Sequence, residues 1–449
     1  MKTIFEPAKP YFKLLGNQKA QAGANYRLMH FVVQTEVDDG LLLLHNMTKE
    51  MVLLSHEEQA VFEQCPADLP ELISHWFLVP EDHDDCKLSQ QLKHVARLME
   101  PKQTHITGYT IMTTSDCNAR CFYCYELGQA RRPMTAETAQ QTADYIIKHS
   151  GGEEVSIEWF GGEPLFNKPV ISMICGRLRE AQVKFRSSMV SNGYLMDAET
   201  IKEAHDQWNL HDIQITIDGT EQTYNRVKAY IYKGVNAYQR VMQNIRQLMD
   251  AGIRVTIRMN MDIYNADDLE RLTHELHERF GESPQLRTYL YLLFGDQHKK
   301  AGICNDDKRQ LLLKKQQQIE DKMREWGLYR SHYYAPTIRT TNCMADSDAA
   351  VVIQPDGHIT KCEHFTDSHH VGHVSSDTFD ARQILYFKEK GADVMEACAH
   401  CAKYPSCTFL QACPHLHECY PEMPQRFDHA MKLEMQQIYN DYLKKETEK

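Results

Sequence analysis

The sequence predicts an α/β protein centred on an incomplete barrel of about six βα units, with a small module before it and a cysteine-rich domain after it. Three observations lead there. From about Ile106, strand-like runs alternate with helical stretches. The first ninety or so residues instead carry short, closely spaced strands. The 14 cysteines fall in two groups, Cys117, Cys121 and Cys124, then seven between Cys343 and Cys419, while Cys65, Cys86, Cys175 and Cys304 stand alone.

A chain of 449 residues is too long for one ordinary domain. Its 42% hydrophobic and 25% charged residues match a soluble globular protein. No apolar run reaches membrane-spanning length, and Met1 to Leu15 lacks the apolar centre of a signal peptide, so no membrane role and a cytoplasmic location are expected. A net charge of −12 argues against nucleic acid, which needs clustered Lys and Arg. Disulfides are disfavoured in a reducing compartment, so the grouped cysteines point to metal or cluster ligation.

The elements follow in order. Leu28 to Gln34, Leu41 to His45 and Met51 to Leu54 read as strands, with Asp38-Asp39-Gly40 as a hairpin turn between the first two. Ser55 with Glu58 has capping-box spacing at a helix start, and a second short helix lies near Leu69 to Trp76. Together they suggest a winged-helix-like module over residues 1–95, in which the acidic Glu81 to Cys86 is a linker. Strands are expected at 106–112, 155–160, 185–191, 212–217, 254–260 and 287–293. Helices are expected at 136–149, 168–182, 198–208, 236–250 and 266–279. They make a core at 100–305, whose chemistry belongs at the C-terminal ends of the strands. A charged helical connector (306–335) leads to the cysteine-rich domain and its closing polar helix (336–449).

Cys117, Cys121 and Cys124 follow the first core strand. Three thiolates within eight residues can wrap one face of a cubane cluster, leaving one iron without a protein ligand. A zinc site or unrelated thiols are the alternatives, although zinc would want a fourth ligand nearby. The run CxxxCxxC, with Tyr123 before its last cysteine, resembles the radical S-adenosylmethionine (SAM) signature. Three more segments fit that superfamily at successive strand ends: Gly161-Gly162-Glu163-Pro164, Ser191-Asn192-Gly193 and Thr216-Ile217-Asp218-Gly219. The resemblance implies a [4Fe–4S] cluster that binds SAM and yields a 5′-deoxyadenosyl radical. It assigns Gly161, Gly162, Glu163 and Pro164 to the SAM amino group, Ser191 and Asn192 to its ribose or carboxylate, and Tyr123 to its adenine; Asp218 falls in a segment familiar from the peptide-modifying branch. Each segment also has an ordinary reading as a turn.

Cys343, Gly357, Cys362, Cys398, Cys401, Cys407, Cys413 and Cys419 resemble the SPASM domain of the same superfamily, which holds two auxiliary clusters. The resemblance gives Cys398, Cys401, Cys407 and Cys419 to an outer cluster, and Cys343, Cys362 and Cys413 to an inner one. Two departures stand out. Five residues rather than three separate Cys407 from Cys413, and residues 331–342 lack a further cysteine, so the inner cluster has room for an open iron. Cys304, a substrate thiolate or one of His364, His369, His370 and His373 could fill it, although those histidines also suit a solvated loop. Glu363, next to Cys362, matches an acidic residue that acts as a base in sulfatase-maturing relatives, although it reads equally as an ordinary surface glutamate.

The N-terminal module is similar to leader-recognition elements of ribosomal peptide maturation, which bind a peptide as an added strand. The expected function is thus an oxidoreductase that crosslinks a precursor peptide, with a thioether favoured by the open iron. Auxiliary clusters would accept the leftover electron, and a flavodoxin or ferredoxin would be the donor. Carbon–carbon crosslinking, epimerisation, Tyr-directed decarboxylation, sulfatase maturation and a non-catalytic zinc-binding peptide scaffold are the alternatives.

Overall fold

The computed structural model describes residues 1–6, 15–99, 103–293, 306–329, 343–365, 368–388, 396–407 and 422–447. Cys304, Cys413, Cys419 and the stretch 331–342 lie outside the described residues. Two units emerge: one from residues 1–102, 331–346 and 386–449, the other from 103–330 and 347–385.

The first unit has strands β1 (Lys2–Phe5), β2 (Tyr26–Leu28), β3 (Val32–Val37), β4 (Gly40–His45), β5 (Met51–Leu54) and β6 (Leu78–Pro80). Four of them form an antiparallel sheet in the order β1-β5-β4-β3, and β2 pairs with β6. The expected strand from Leu28 to Gln34 is thus split between two sheets. The hairpin turn is where the sequence puts it. Gly40 has φ +138°, and a Cβ there would lie 2.0 Å from the Leu54 carbonyl oxygen.

Every residue of β4 and β5 is buried, because both faces of the sheet are covered. Leu41, Leu43, Val52 and Leu54 pack with Leu72 and Ile73 of the helical side, α1 (His56–Gln64) and α2 (Pro70–Ser74). Leu42, Leu44, Met51 and Leu53 pack with Met435 and Tyr439 of the C-terminal helix Met423–Thr447. The alternation is the period of two that a strand imposes. The capping box is formed: Glu58 N donates to Ser55 Oγ at 3.3 Å, and Ser55 N donates to Glu58 Oε2 at 3.0 Å.

The acidic stretch before α3 (Asp85–Met99) is not a free linker. Arg27 donates to both Asp85 oxygens at 3.0 and 3.1 Å, His30 N donates to Oδ2 at 2.8 Å, and His83 Nδ1 lies 2.7 Å from Oδ1. Burial pushes the Asp85 carboxyl up, but the His83 and Arg27 hydrogen bonds outweigh it and hold the group well below the usual carboxylate range. A depressed folded pKa stabilises the fold above the unfolded value of about 4, and that contribution is lost as pH falls further. Asp85→Asn is expected to cost about 3–5 kcal/mol at neutral pH by leaving Arg27 half-buried and unpaired, measured by urea unfolding. Unchanged stability would show that the network contributes nothing.

The second unit alternates strands and helices: β7 (Gly108–Thr114), α4 (Ala136–His149), β8 (Val155–Gly161), α5 (Lys168–Glu180), β9 (Phe185–Ser191), α6 (Ala198–Asp206), β10 (Leu210–Thr216), α7 (Glu221–Lys228), α8 (Ala237–Asp250), β11 (Arg254–Met261), α9 (Ala266–Phe280), β12 (Leu286–Leu292) and α10 (Asp306–Glu325). β7 to β12 lie side by side in chain order and all parallel. The six expected strands and five expected helices are all present. α7 is an addition, ended by Ala229 in the left-handed region at φ +44°.

β13 (Ala350–Ile353), β14 (His358–Thr360) and β15 (Gly372–His373), followed by α11 (Ala381–Lys388), extend the sheet beyond β7. β13 runs parallel to β7 with Ala350 opposite Gly108. A Cβ on Gly108 would sit 3.3 Å from the Ala350 Cβ, a tight approach. The sheet therefore runs straight into the segment that carries Cys362 and Glu363.

Candidate active site at the strand ends

The Cys117–Cys124 loop leaves β7 and is fastened to its neighbours by backbone bonds. Gly162 N donates to the Thr114 carbonyl and Glu163 N to the Asp116 carbonyl, each at 2.9 Å. The paired glycines make this possible. A Cβ on Gly161 would meet the Thr114 oxygen at 2.2 Å, and one on Gly162 the Asp116 oxygen at 2.3 Å. Both glycines thus let the chain approach its own backbone closely.

Glu163 is fully buried and organises the ends of β8 and β9. Its carboxylate accepts from Ser191 Oγ at 2.8 Å, Asn192 N at 2.8 Å and Leu165 N at 3.2 Å. Burial pushes its carboxyl up to about 7 against these hydrogen bonds. Pro164 closes the turn, its carbonyl accepting from Thr113 Oγ1 at 3.0 Å. Asn192 Nδ2 donates to Asn118 Oδ1 at 2.6 Å and lies 3.9 Å from Cys117 Sγ. Three segments distant in sequence are one hydrogen-bonded assembly.

The three thiols line a cavity of about 180 Å³. Burial pushes Cys117 up to about 12 and Cys124 up to about 11, and raises Cys121 as well. Thiols held this high stay protonated until a cation displaces the proton, as metal or cluster ligation does. Several buried polar atoms around them lack a hydrogen-bond partner among the described residues: Asn118 Nδ2, Asp218 Oδ1, Tyr125 OH and Glu126 Oε1. Unpaired polar atoms are costly inside a protein unless a ligand completes them. Three thiols on one loop with such atoms around them fit an iron–sulfur cluster and its polar ligand. No three described Cys, His, Asp or Glu side chains converge as ligands of a single metal ion. A cubane makes a different demand, since each of its thiolates reaches a different iron.

Beside the loop, at the ends of β10, β11 and β12, a cavity of about 360 Å³ is lined by Phe122, Tyr123, Asp218, Asn260, Asp262 and Tyr264, among others. At its wall is a feature no motif announced. Lys228, at the end of α7, is buried and pairs with Asp218 at 3.0 Å. Its ammonium also donates to Tyr123 OH at 2.9 Å, and that hydroxyl donates to Asp218 at 2.7 Å. Burial lowers the ammonium's pKa, but the charges of Asp218 and Cys121 outweigh it and hold the pKa well above the usual lysine value. A lysine late in an ordinary polar helix carries no sequence signal of this role.

Glu363 is half-buried in the stretch that follows β14. It acts electrostatically on Tyr125, next to Cys124, and on Glu158 of β8, while His364 packs on the Tyr125 ring at 4.6 Å. Burial, then the Glu363 charge, raises the Glu158 carboxyl. Of the four loop histidines, His370 and His373 pack on His358 at 4.2 and 5.0 Å, and His369 bonds Gln383 at 2.9 Å. In the first unit, Cys343 is exposed and accepts from Ala345 N at 3.3 Å. Cys398, Cys401 and Cys407 are all buried along successive three-residue turns.

Residues 111–276 match the radical SAM superfamily. A probable GTP 3′,8-cyclase of Halobacterium salinarum is 24% identical over 263 residues, 56% of this chain and 68% of that protein. The radical SAM cyclopropyl synthase TigE of Paramaledivibacter caminithermalis is 24% identical over 251 residues, 48% of this chain and about half (52%) of that one. Among solved structures, anSMEcpe with bound AdoMet and Cp18Cys peptide superposes with a TM-score of 0.56 at 15% identity, covering 75% of this chain and 99% of its own. Streptococcus suis SuiB bound to precursor peptide SuiA gives 0.50 at 12% identity, covering 86% and 95%. With the cysteine loop, the strand-end segments and the superfamily match on the same residues, residues 111–276 form a radical SAM domain.

Proposed function

We propose that this enzyme modifies a ribosomally made precursor peptide by introducing a crosslink. The observation that carries the proposal is the Cys117–Cys124 loop beside the 360 Å³ cavity, with Glu363 within electrostatic reach of Tyr125 next to that loop. Bound at Cys117, Cys121 and Cys124, a [4Fe–4S] cluster with SAM would supply a 5′-deoxyadenosyl radical for hydrogen abstraction. The chain's own residues hold and orient. Asn118 and Asn192 fix the first cysteine, Glu163 locks the strand ends together, and Lys228 keeps Asp218 and Tyr123 in place at the cavity wall. Glu363 would take the proton that the peptide gives up as the new bond forms, and the electron left over would pass to an auxiliary cluster held by the C-terminal cysteines.

The solved structures with bound peptides, anSMEcpe with Cp18Cys and SuiB with SuiA, support a peptide as substrate. The outer edge of β3, not paired to another described strand, suits a leader peptide added as a further strand. A thioether is the form of crosslink that an open inner-cluster iron favours, because a substrate thiolate could bind there.

The test is anaerobic incubation with SAM, a reductant and a candidate precursor peptide. The expected product is lighter by two hydrogens. Loss of one titratable thiol marks a thioether, and intact thiols mark a carbon–carbon bond. No change in peptide mass with continued 5′-deoxyadenosine release across the candidate peptides would count against a peptide substrate. Glu363→Gln should keep 5′-deoxyadenosine release and lower crosslinked product by roughly 10²–10⁴-fold, the range for a lost acid–base group. Full product formation in that variant would remove Glu363 from the chemistry.

A further inference from the structure

Cys86 stands apart from both cysteine groups in the sequence, yet it is buried at the second of them. Its thiol donates to the Cys398 carbonyl at 3.6 Å, 312 residues on. Cys86 is within electrostatic reach of Cys398 and Cys401, and Cys401 of Cys398 and Cys407, so the four thiols form one neighbourhood. All four are buried, with exposures of 9%, 6%, 8% and 9% in chain order.

The local geometry explains the convergence. Cys401 N donates to the Cys398 carbonyl at 3.2 Å, Tyr404 N to that of Cys401 at 2.9 Å, and Cys407 N to that of Tyr404 at 3.1 Å. Turns of three residues stack side chains at i and i+3 on one side. On the facing helix α3, Cys86, Gln90 and Lys93 share one face by helical spacing. Gln90 Nε2 donates to Tyr404 OH at 3.1 Å, and the Lys93 ammonium lies 5.8 Å from the centre of the Tyr404 ring.

That helix face also holds polar atoms in search of a partner. Lys93 is 8% exposed and Ser89 1% exposed, and neither Nζ nor Oγ has a hydrogen-bond partner among the described residues. Cys407 is the group whose charge acts on Lys93 most. A buried, unpaired ammonium needs an anion to offset its desolvation. A cubane held by four thiolates is such an anion, and charges and hydrogen bonds near the sulfurs set its potential.

We propose that Cys86 ligates the same iron–sulfur cluster as Cys398, Cys401 and Cys407, with Lys93 as its counter-charge. The proposal rests on the reading that those three cysteines hold an auxiliary cluster. It replaces Cys419 in the outer set and releases that residue for the inner one.

The test uses the full chain carrying C117A, C121A and C124A, which leaves only the auxiliary sites, reconstituted anaerobically. Adding Cys86→Ala should remove about four iron and four sulfide per chain, with one electron paramagnetic resonance signal lost. Adding Cys398→Ala with Cys401→Ala should remove the same amount and the same signal, whereas Cys419→Ala should leave that signal in place. If the Cys398/Cys401 variant keeps its iron, the cluster reading itself fails. If it loses iron but Cys86→Ala does not, or if Cys419→Ala removes the signal, the proposal for Cys86 is overturned. Circular dichroism checks that Cys86→Ala is folded. Should it not be, Lys93→Met decides: it is expected to keep the iron and lower the midpoint potential of that signal, and an unmoved potential overturns the proposal.

Discussion

Replacing Cys117, Cys121 and Cys124 together with alanine is expected to reduce 5′-deoxyadenosine release to background and to remove about four iron per chain. The size of the effect follows from the site. All three thiols belong to one loop, so they act as a unit rather than as additive contributors. The loop is anchored by the bonds from Gly162 and Glu163 to the Thr114 and Asp116 carbonyls, which do not involve the thiols. The variant should therefore keep its fold, and an unchanged circular dichroism spectrum separates lost chemistry from lost structure. Nucleoside release that survives the triple replacement would place the radical chemistry elsewhere.

Lys228→Met is expected to lower stability by about 3–5 kcal/mol, because it leaves the Asp218 carboxylate buried without its cation. SAM cleavage should fall with it, since Tyr123 loses the ammonium that holds its hydroxyl. The pairing is tested by a double-mutant cycle. Asp218→Asn combined with Lys228→Met should regain much of the stability that Lys228→Met loses, because no unpaired charge then remains. Strict additivity in urea unfolding would mean that the ion pair is energetically silent. A pair this deep, with the Tyr123 hydroxyl shared between its members, is far from the exposed pairs that contribute little.

Much of this architecture was legible because its signals are local. β8 to β12 alternate with amphipathic helices, and a period of two switching to one of 3.6 can be read from a short window. Ser55 and Glu58 declare a helix start for the same reason. What escaped depends on partners far along the chain. Ala350–Ile353 is a short apolar run whose strand character comes from pairing with Gly108–Ile111. Glu81 to Cys86 reads as an acidic linker, and only Arg27, 58 residues earlier, turns Asp85 into a buried anchor. The candidate site divides the same way. Its cysteines and strand-end turns are written as motifs, whereas Lys228 and the Cys86–Cys398 contact exist only once the chain has folded.

The C-terminal helix on the N-terminal sheet has a consequence for how the protein is made. Val33, Leu42, Leu44 and Leu53 are synthesised well before the helix bearing Met435 and Tyr439 that covers them. At about 5–20 residues per second, the ribosome needs roughly 20–80 seconds to deliver the covering helix. Throughout that interval one face of the first sheet is apolar and uncovered, an invitation to chaperones and to aggregation. The first unit therefore matures after the second, and the thiols of Cys398, Cys401 and Cys407 emerge just before it closes. Iron delivered during expression would thus meet a chain whose parallel strands are all synthesised while the sheet of the first unit still waits for its covering helix.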